Sequence, residues 1–182
     1  MTRELVERAQ AGDRDAYEAL ARSSARRLYV LAVRLLRAAD AAEDVVQQTL
    51  VAIWRDLPTL RDPERYEAWT YRMVVRRCAT EGKRRRSTVA VADVSDSIAQ
   101  PRDPIGDIAL HDELGRAFAQ LSQEARAIVV LHHLLGVSNV EIAAILGIPD
   151  GTVRSRLHQA LRAMRASIEA DARTPIRGGQ PA

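Results

Sequence analysis

The chain has 182 residues and a formal net charge of +3, and 47% of its residues are hydrophobic, which is enough for one or two packed domains. Its single cysteine, Cys78, excludes an internal disulfide and a zinc site built from several cysteines. Aromatic residues make up only 4%, and apolar residues recur at helical spacing almost throughout. With no secretory signal and no apolar run long enough to cross a bilayer, we expect a cytoplasmic, all-α protein without membrane insertion.

The first 86 residues predict four helices. Asp13 can cap the second, and Asp40 with Glu43 resembles a capping arrangement that starts the third. The fourth follows a turn at residues 61–63 and ends in the basic run at residues 83–86. Four consecutive cations can neutralise DNA phosphates, and the alternative is a solvated helix end favoured by the helix dipole.

The third helix has two different faces. One is apolar and consists of Val46, Leu50, Ile53 and Leu57. On the opposite side of the helical projection lie Asp44, Gln47, Gln48 and Val51. The sequence therefore predicts a largely polar surface, turned away from the core, that is available to a partner.

A flexible acidic linker is predicted at residues 87–110, because this segment lacks helical periodicity and contains two prolines. It carries one basic and four acidic groups, a balance of −3. The linker joins a helical domain at residues 1–86 to a second one at residues 111–170. A plain solvated tether and a linker that itself occupies a binding channel remain equal alternatives. Residues 171–182 are expected to form a disordered tail.

The second domain is predicted to hold four helices. Helices at residues 111–120 and 122–135 lead into a helix-turn-helix at residues 138–165. Its first helix opens with a capping box formed by Ser138 and Glu141. Gly147 is placed to end that helix in the left-handed conformation.

The second helix of this motif can be capped by Asp150 or Thr152. Its apolar stripe is Val153, Leu157, Leu161, Met164 and Ile168. Its open face carries guanidinium and amide groups that suit base edges and phosphates in a major groove. These groups belong to Arg154, Ser155, His158, Gln159, Arg162 and Arg165. The alternative is an arginine-rich surface helix with no nucleic-acid role.

Two segments together resemble the bacterial extracytoplasmic-function sigma factors. The polymerase-binding domain of that family is similar to AGDRDAYEALARSSARRLYVLAVRLLRAADAAEDVVQQTLVAIWRDL, followed by RYEAWTYRMVVRRCATEGKRRR. The promoter-reading domain is similar to GIPDGTVRSRLHQALRAMR. The resemblance implies a dissociable subunit that binds core RNA polymerase, directs it to a two-element promoter and helps to melt the DNA.

The resemblance also implies roles for individual residues. The family motif that docks on the clamp helices of the largest polymerase subunit falls on Asp44, Val45, Val46 and Gln47. The minus-ten element would be bound by a loop in which Tyr66 stacks on an extruded base, and by the helix that follows. These positions are Arg61, Tyr66, Trp69, Tyr71, Arg72, Arg76, Arg77, Lys83 and Arg84. A purely structural role for Trp69 is equally open. The minus-thirty-five element would be read by Thr152, Arg154, Ser155, Arg156, His158, Gln159 and Arg162.

The sequence departs from the family pattern at several positions. Arg76 stands where relatives often have Asn, and Thr80 where they often have Asp. Residues 48–50, Gln-Thr-Leu, replace the more usual Glu-Thr-Phe, and Val140 sits at a position that is commonly aromatic. These changes concern promoter specificity more than the function itself.

The sequence does not predict an enzyme. His132 and His133 are adjacent and are joined by no cluster of cysteines or carboxylates, so we expect no metal site. No cofactor or small-molecule substrate is expected, and the family resemblance implies one further partner, an anti-sigma factor. Two other functions remain as alternatives: a stand-alone helix-turn-helix regulator that binds DNA as a dimer, and a sigma-like decoy that binds protein without opening promoters.

Overall fold

The structure is a computed structural model that describes residues 2–91 and 108–173. Within these residues it is all-α, as the sequence predicts, and contains no strand. The α-helices are α1 (Thr2–Gln10), α2 (Arg14–Leu36), α3 (Ala39–Asp56), α4 (Tyr66–Val91), α5 (Ile108–Ala119), α6 (Gln123–Val129), α7 (Asn139–Leu146) and α8 (Asp150–Arg173). Short 3-10 turns at Leu57–Thr59 and Pro63–Arg65 separate α3 from α4, and a π-helical turn at Val130–Leu134 follows α6.

Both ends of the predicted linker are helical. Helix α4 continues to Val91 and α5 begins at Ile108, so only residues 92–107 of that segment lie between helices, outside the described residues. Helix α8 likewise continues to Arg173, and the rest of the predicted tail is outside the described residues. No described helix is both long enough and apolar enough to cross a membrane.

The start of α2 is capped as predicted, but the start of α3 is not. The Asp13 carboxylate accepts a hydrogen bond from the backbone N–H of Ala16 at 3.0 Å. Helix α3 begins at Ala39 with no side-chain cap, so the predicted capping arrangement of Asp40 and Glu43 is wrong. Asp40 instead lies inside the first turn, where a carboxylate interacts favourably with the positive end of the helix dipole.

The N-terminal helices pack around buried aliphatic side chains from α2, α3 and α4. Leu28 and Leu31 of α2 contribute to this core together with Ile53 of α3 and Val74 of α4, all four fully buried. Helix α1 closes one end, because the Gln10 side-chain amide donates hydrogen bonds to two backbone carbonyls in the connection between α3 and α4. The three long helices therefore have fixed inner and outer sides.

The helix-turn-helix forms as predicted. Ser138 Oγ accepts from the backbone N–H of Glu141 at 3.3 Å, and the Glu141 carboxylate accepts from the backbone N–H of Ser138 at 3.1 Å. The Ser138 hydroxyl also donates to the Glu141 carboxylate at 2.7 Å, and this hydrogen bond, with the one from the Ser138 backbone N–H, holds the pKa of the Glu141 carboxyl below its usual value. Gly147 ends α7 with a φ of +71°, which glycine adopts without the strain that a Cβ would bring.

Helix α8 differs from the sequence prediction in two details. It begins at Asp150 itself, so neither Asp150 nor Thr152 stands at the capping position, and the Asp150 carboxylate instead accepts a hydrogen bond from Arg154 at 2.6 Å. Leu161, predicted to lie in the apolar stripe, is 39% exposed, whereas Ala160 is buried. Ala160 lies near the centre of the face defined by Val153 and Met164, and Leu161 lies at its edge.

The two sets of helices pack against each other. Helix α6 contacts α2, and α7 contacts α4. The buried apolar side chains of both sets form one continuous cluster. The C-terminal unit is thus seated on α2 and α4, two of the three helices that form the N-terminal core.

We expect Ser138→Ala to lower the free energy of unfolding by about 1 kcal/mol, because it removes the acceptor for the Glu141 N–H at the start of α7. Urea unfolding followed by circular dichroism measures this change. Ser138→Thr, which keeps the hydroxyl, is the control and should remain near the wild type. Equal stability of the alanine variant and the wild type would show that the cap contributes nothing.

Candidate protein and nucleic-acid interfaces

The outward side of α3 is a continuous exposed surface. Asp44, Gln47 and Gln48 are exposed, as predicted, and Val51 is 70% exposed. Val45 and Val46 are buried at 4% and 7% exposure, because they lie on the inner side of the same helix. In the free chain these two valines anchor α3 in the core, and their predicted contact with a partner stays a prediction.

This surface extends one turn beyond the predicted residues. Trp54 is 45% exposed, and its ring packs edge-on against Tyr17 with 4.6 Å between the ring centroids. The Tyr17 hydroxyl donates to the backbone carbonyl of Leu50 at 2.7 Å, which fixes the ring that supports Trp54. The spacing of seven residues from Gln47 to Trp54 is the signal that could have placed it on this side. We call the group of Asp44, Gln47, Gln48, Val51 and Trp54 the α3 surface.

The inner side of α4 is buried. Tyr66 and Tyr71 are 1% and 3% exposed, and Val74 and Cys78 are fully buried. The Tyr66 hydroxyl lies 3.2 Å from Ser24 Oγ, and burial raises the pKa of both tyrosines. Both rings face the protein core in the free chain, so the predicted contacts of Tyr66 and Tyr71 with minus-ten DNA stay a prediction that would require the rings to leave it.

Burial also makes Cys78 chemically inert. It raises the pKa of the thiol to about 12, so the thiolate that would react as a nucleophile is not formed at neutral pH. Among the described residues, no group of three or more His, Cys, Asp or Glu side chains is arranged to hold a metal ion.

The outer side of α4 brings several predicted residues together. A cavity of about 310 Å³ lies between this helix, the end of α3 and the turn that follows. Its lining consists of Asp56, Thr59, Trp69, Arg72, Met73 and Arg76. The hydrogen bonds and charge of neighbouring Arg55, with the charge of Arg77, hold the pKa of the Asp56 carboxyl below its usual value. An indole, two guanidinium groups and a carboxylate in one cavity can stack on a planar base and hydrogen-bond its edge.

The remaining predicted minus-ten residues lie outside this cavity. Arg61 is exposed on the loop before α4, and Arg77 is half-buried. Lys83 is exposed near the end of α4. Arg84 donates two hydrogen bonds to Glu81, at 2.7 and 2.8 Å. Part of the basic charge at this end is therefore neutralised within the helix.

The outer face of α8 carries the predicted reading residues. Its exposed members are Arg154, Ser155, His158, Gln159 and Arg162, which we call the α8 face. Thr152 is half-buried in the first turn. Arg156 lies apart from this face and pairs with Glu124 of α6, so it ties α8 to its own domain.

Comparison with known proteins decides the family. Residues 20–88 match Sigma-70 region 2, and residues 111–164 match Sigma-70, region 4. The chain is 37% identical to the ECF RNA polymerase sigma factor SigL of Mycobacterium tuberculosis over 146 aligned residues. The alignment covers 78% of this chain and 82% of that protein. The chain belongs to the ECF RNA polymerase sigma factors. A sigma factor directs transcription initiation, and the match to region 2 does not favour a stand-alone regulator.

Solved structures of sigma factors have the same fold. The sigma factor RpoE of Bartonella quintana, solved in complex with the anti-sigma factor NepR, matches with a TM-score of 0.73 and 24% identity over 85% of this chain and 98% of that chain. CnrH, solved in complex with the cytosolic domain of CnrY, matches with a TM-score of 0.69 and 26% identity over 93% of this chain and 98% of that chain.

Because Tyr66 lies in the core, we expect Tyr66→Ala to lower the free energy of unfolding by about 3–5 kcal/mol. Arg76→Ala, at an exposed position on the same helix, should change it by about 0.5 kcal/mol or less. Urea unfolding of both variants checks this. Wild-type stability of Tyr66→Ala, combined with weaker binding of single-stranded minus-ten DNA by the polymerase complex, would contradict the core role and support the predicted base-stacking role.

Proposed function

We propose that this sigma factor docks on core RNA polymerase through the α3 surface, binds the minus-ten element with the outer side of α4 and reads the minus-thirty-five element with the α8 face. One observation carries the proposal. On α3 and α8 the proposed functional residues are exposed, and on α4 they line a surface cavity; on each helix they lie on the side opposite a buried apolar stripe, so that a partner can reach them without unfolding the domain.

The chemistry of the α3 surface suits a protein partner. Asp44 supplies a carboxylate and Gln47 and Gln48 supply amides, while Val51 and Trp54 add exposed apolar area at the far end. Protein interfaces combine apolar side chains with surrounding polar ones, and tryptophan is enriched among the residues that dominate binding energy. By resemblance to the family, the partner is the pair of clamp helices of the largest polymerase subunit.

The cavity on the outer side of α4 suits an unstacked base. Extruding a base from DNA costs a few kcal/mol. Stacking on an aromatic side chain returns about 1–3 kcal/mol per base, and Trp69 is the aromatic residue in the cavity. Arg72 and Arg76 can add contacts with phosphates or base edges. Binding energy can therefore hold the melted strand without catalysis by this chain, since bond formation belongs to the polymerase.

The exposed guanidinium and amide groups of the α8 face suit contacts with bases in a major groove. In a helix-turn-helix, residues near the start of the second helix contact base edges. Arginine can bind guanine bidentately and glutamine can bind adenine, and Arg154 and Gln159 supply these groups. We assign the reading domain to the helices from α5 to α8, and the polymerase-binding and melting domain to those from α1 to α4.

We expect Asp44→Ala combined with Gln47→Ala to weaken binding to sigma-free core polymerase by about ten- to a hundred-fold, because both exposed polar side chains of the α3 surface would lose their contacts with the partner. Equilibrium binding of labelled protein measures the change. Arg154→Ala is the reciprocal control: it should keep core affinity and reduce transcription from promoters that depend on the minus-thirty-five element. Unchanged core affinity of the double variant would move the docking site away from α3.

The sigma factors of similar fold were solved with an anti-sigma factor or with the cytosolic domain of CnrY. We expect this chain to work in the cytoplasm with core polymerase and to be held inactive by an anti-sigma protein. Affinity purification of the tagged chain from its own cells should recover a stoichiometric protein that competes with core polymerase. Recovery of polymerase subunits alone, under growth conditions in which the target promoters are silent, would contradict this expectation.

A further inference from the structure

Helix α1 holds the turn that forms one wall of the cavity beside α4, which we call the α4 cavity. Gln10 Nε2 donates to the carbonyls of Leu57 and Leu60, at 3.0 and 2.7 Å. These carbonyls stand at the two ends of the 3-10 turn Leu57–Thr59, since Leu60 is the residue that follows it. The two hydrogen atoms of one amide group therefore bridge the turn from its start to its end.

The α4 cavity has two walls of different origin. Helix α4 supplies Trp69, Arg72, Met73 and Arg76, and the end of α3 with the turn supplies Asp56 and Thr59. The Thr59 hydroxyl donates to the carbonyl of Asp56 at 2.6 Å, so the two residues of the second wall are joined to each other. The α4 wall is fixed by the buried side of its helix. The position of the turn therefore sets the width of the cavity.

The turn is fixed at its two ends in different ways. Leu57 is 1% exposed and anchors the first end in the core. The backbone N–H of Leu60 donates to the Leu57 carbonyl at 3.1 Å, a 3-10 hydrogen bond of poorer geometry than an α-helical one. Leu60 itself lies between the two 3-10 turns, outside any helix, so its carbonyl needs a partner from elsewhere. Gln10 supplies that partner and fixes the second end.

Gln10 is the last residue of α1, and this end of the helix is itself held in place. Arg8 donates two hydrogen bonds to Asp13 Oδ2, at 2.9 and 2.7 Å, across the turn between α1 and α2. Gly12 takes a φ of +94° in that turn, a conformation that favours glycine. Val6 is fully buried and anchors the inner side of α1. The Gln10 amide is therefore presented from a fixed backbone.

We propose that Gln10 is a positioning residue for capture of the minus-ten base, acting through the turn Leu57–Thr59. Helix α1 lies before the segment that matches region 2, which begins at residue 20. The inference rests on the proposed function, in which an unstacked base enters the α4 cavity and stacks on Trp69. If the opposite wall moves away by about 0.5–1 Å, its atoms lose a quarter to a half of their dispersion attraction to that base.

Two substitutions remove the hydrogen bonds from Gln10. Gln10→Ala deletes the amide, and Gln10→Glu keeps the size of the side chain but has a carboxylate that cannot donate. Glu4→Ala, at an exposed position on the same helix, is the matched control. We expect all three variants to bind core polymerase like the parent, because α1 contributes no residue to the α3 surface. Circular dichroism and core binding are measured for each variant.

The decisive measurement is the affinity of the polymerase complex for single-stranded minus-ten DNA with and without one base. An abasic site is placed at each position in turn, and the position that weakens binding by the parent most marks the captured base. The ratio of the two dissociation constants should be about ten-fold or more for the parent. Gln10→Ala and Gln10→Glu should lower this ratio about five-fold, the effect of one hydrogen bond, and Glu4→Ala should keep it. A general loss of structure would weaken both affinities alike and leave the ratio unchanged.

Trp69→Ala separates an effect through the α4 cavity from an effect elsewhere. With the indole removed, the base has lost its stacking partner, so the distance to the opposite wall no longer matters. Adding Gln10→Ala to Trp69→Ala should therefore leave the ratio of the Trp69→Ala variant unchanged.

Two results would overturn the inference: a ratio for both Gln10 variants that equals that of the parent, or the same reduction with and without Trp69. A parent for which no abasic site weakens binding would instead refute base capture, which belongs to the proposed function. Amide exchange at Leu60 in the free chain then still decides whether Gln10 holds the turn. Gln10→Ala should speed this exchange about five-fold, and an unchanged rate would show that the turn does not depend on α1.

Discussion

The burial of one side of α4 is the constraint on which the rest of the structure depends. Tyr66, Tyr71, Val74 and Cys78 lie on that side, and α4 packs through it against α2 and α3. Burying a large apolar side chain contributes about 1.5–3 kcal/mol, whereas an exposed ion pair contributes about 1 kcal/mol or less. The buried side chains therefore fix the rotation of α4 about its own axis. The arginines of this helix lie on the sides that do not face the core.

The burial of one side of each helix also explains why the three proposed interfaces are preorganised. Each lies on a long helix whose opposite side is anchored in a packed core, so binding does not first have to order the backbone. Several cations of these surfaces already have acidic neighbours, such as Arg154 with Asp150 and Arg84 with Glu81. These pairs are exposed and weak, so phosphates can replace the carboxylates at little cost.

The sequence predicts those features that depend on local spacing. The Ser138–Glu141 capping box, the left-handed Gly147 and the outward side of α3 are all encoded within a few residues. The burial of Tyr66 and Tyr71 was not predictable in this way, because an aromatic residue serves equally well in a core and on an exposed base-binding surface. The Gln10 contacts with Leu57 and Leu60 have no local signal, since a side-chain amide can reach any backbone carbonyl that the fold brings near.

Side-chain footprinting with hydroxyl radicals tests the central claim, that the outer sides of α3 and α4 are the working surfaces. The chain is compared free, bound to core polymerase, and bound to core with single-stranded minus-ten DNA. We predict that core protects Val51 and Trp54, that DNA adds protection at Trp69 and Met73, and that the buried Tyr66 and Tyr71 remain unreactive throughout. If the reactivity of residues on α3 and in the α4 cavity does not change and protection appears only on other helices, the account is contradicted.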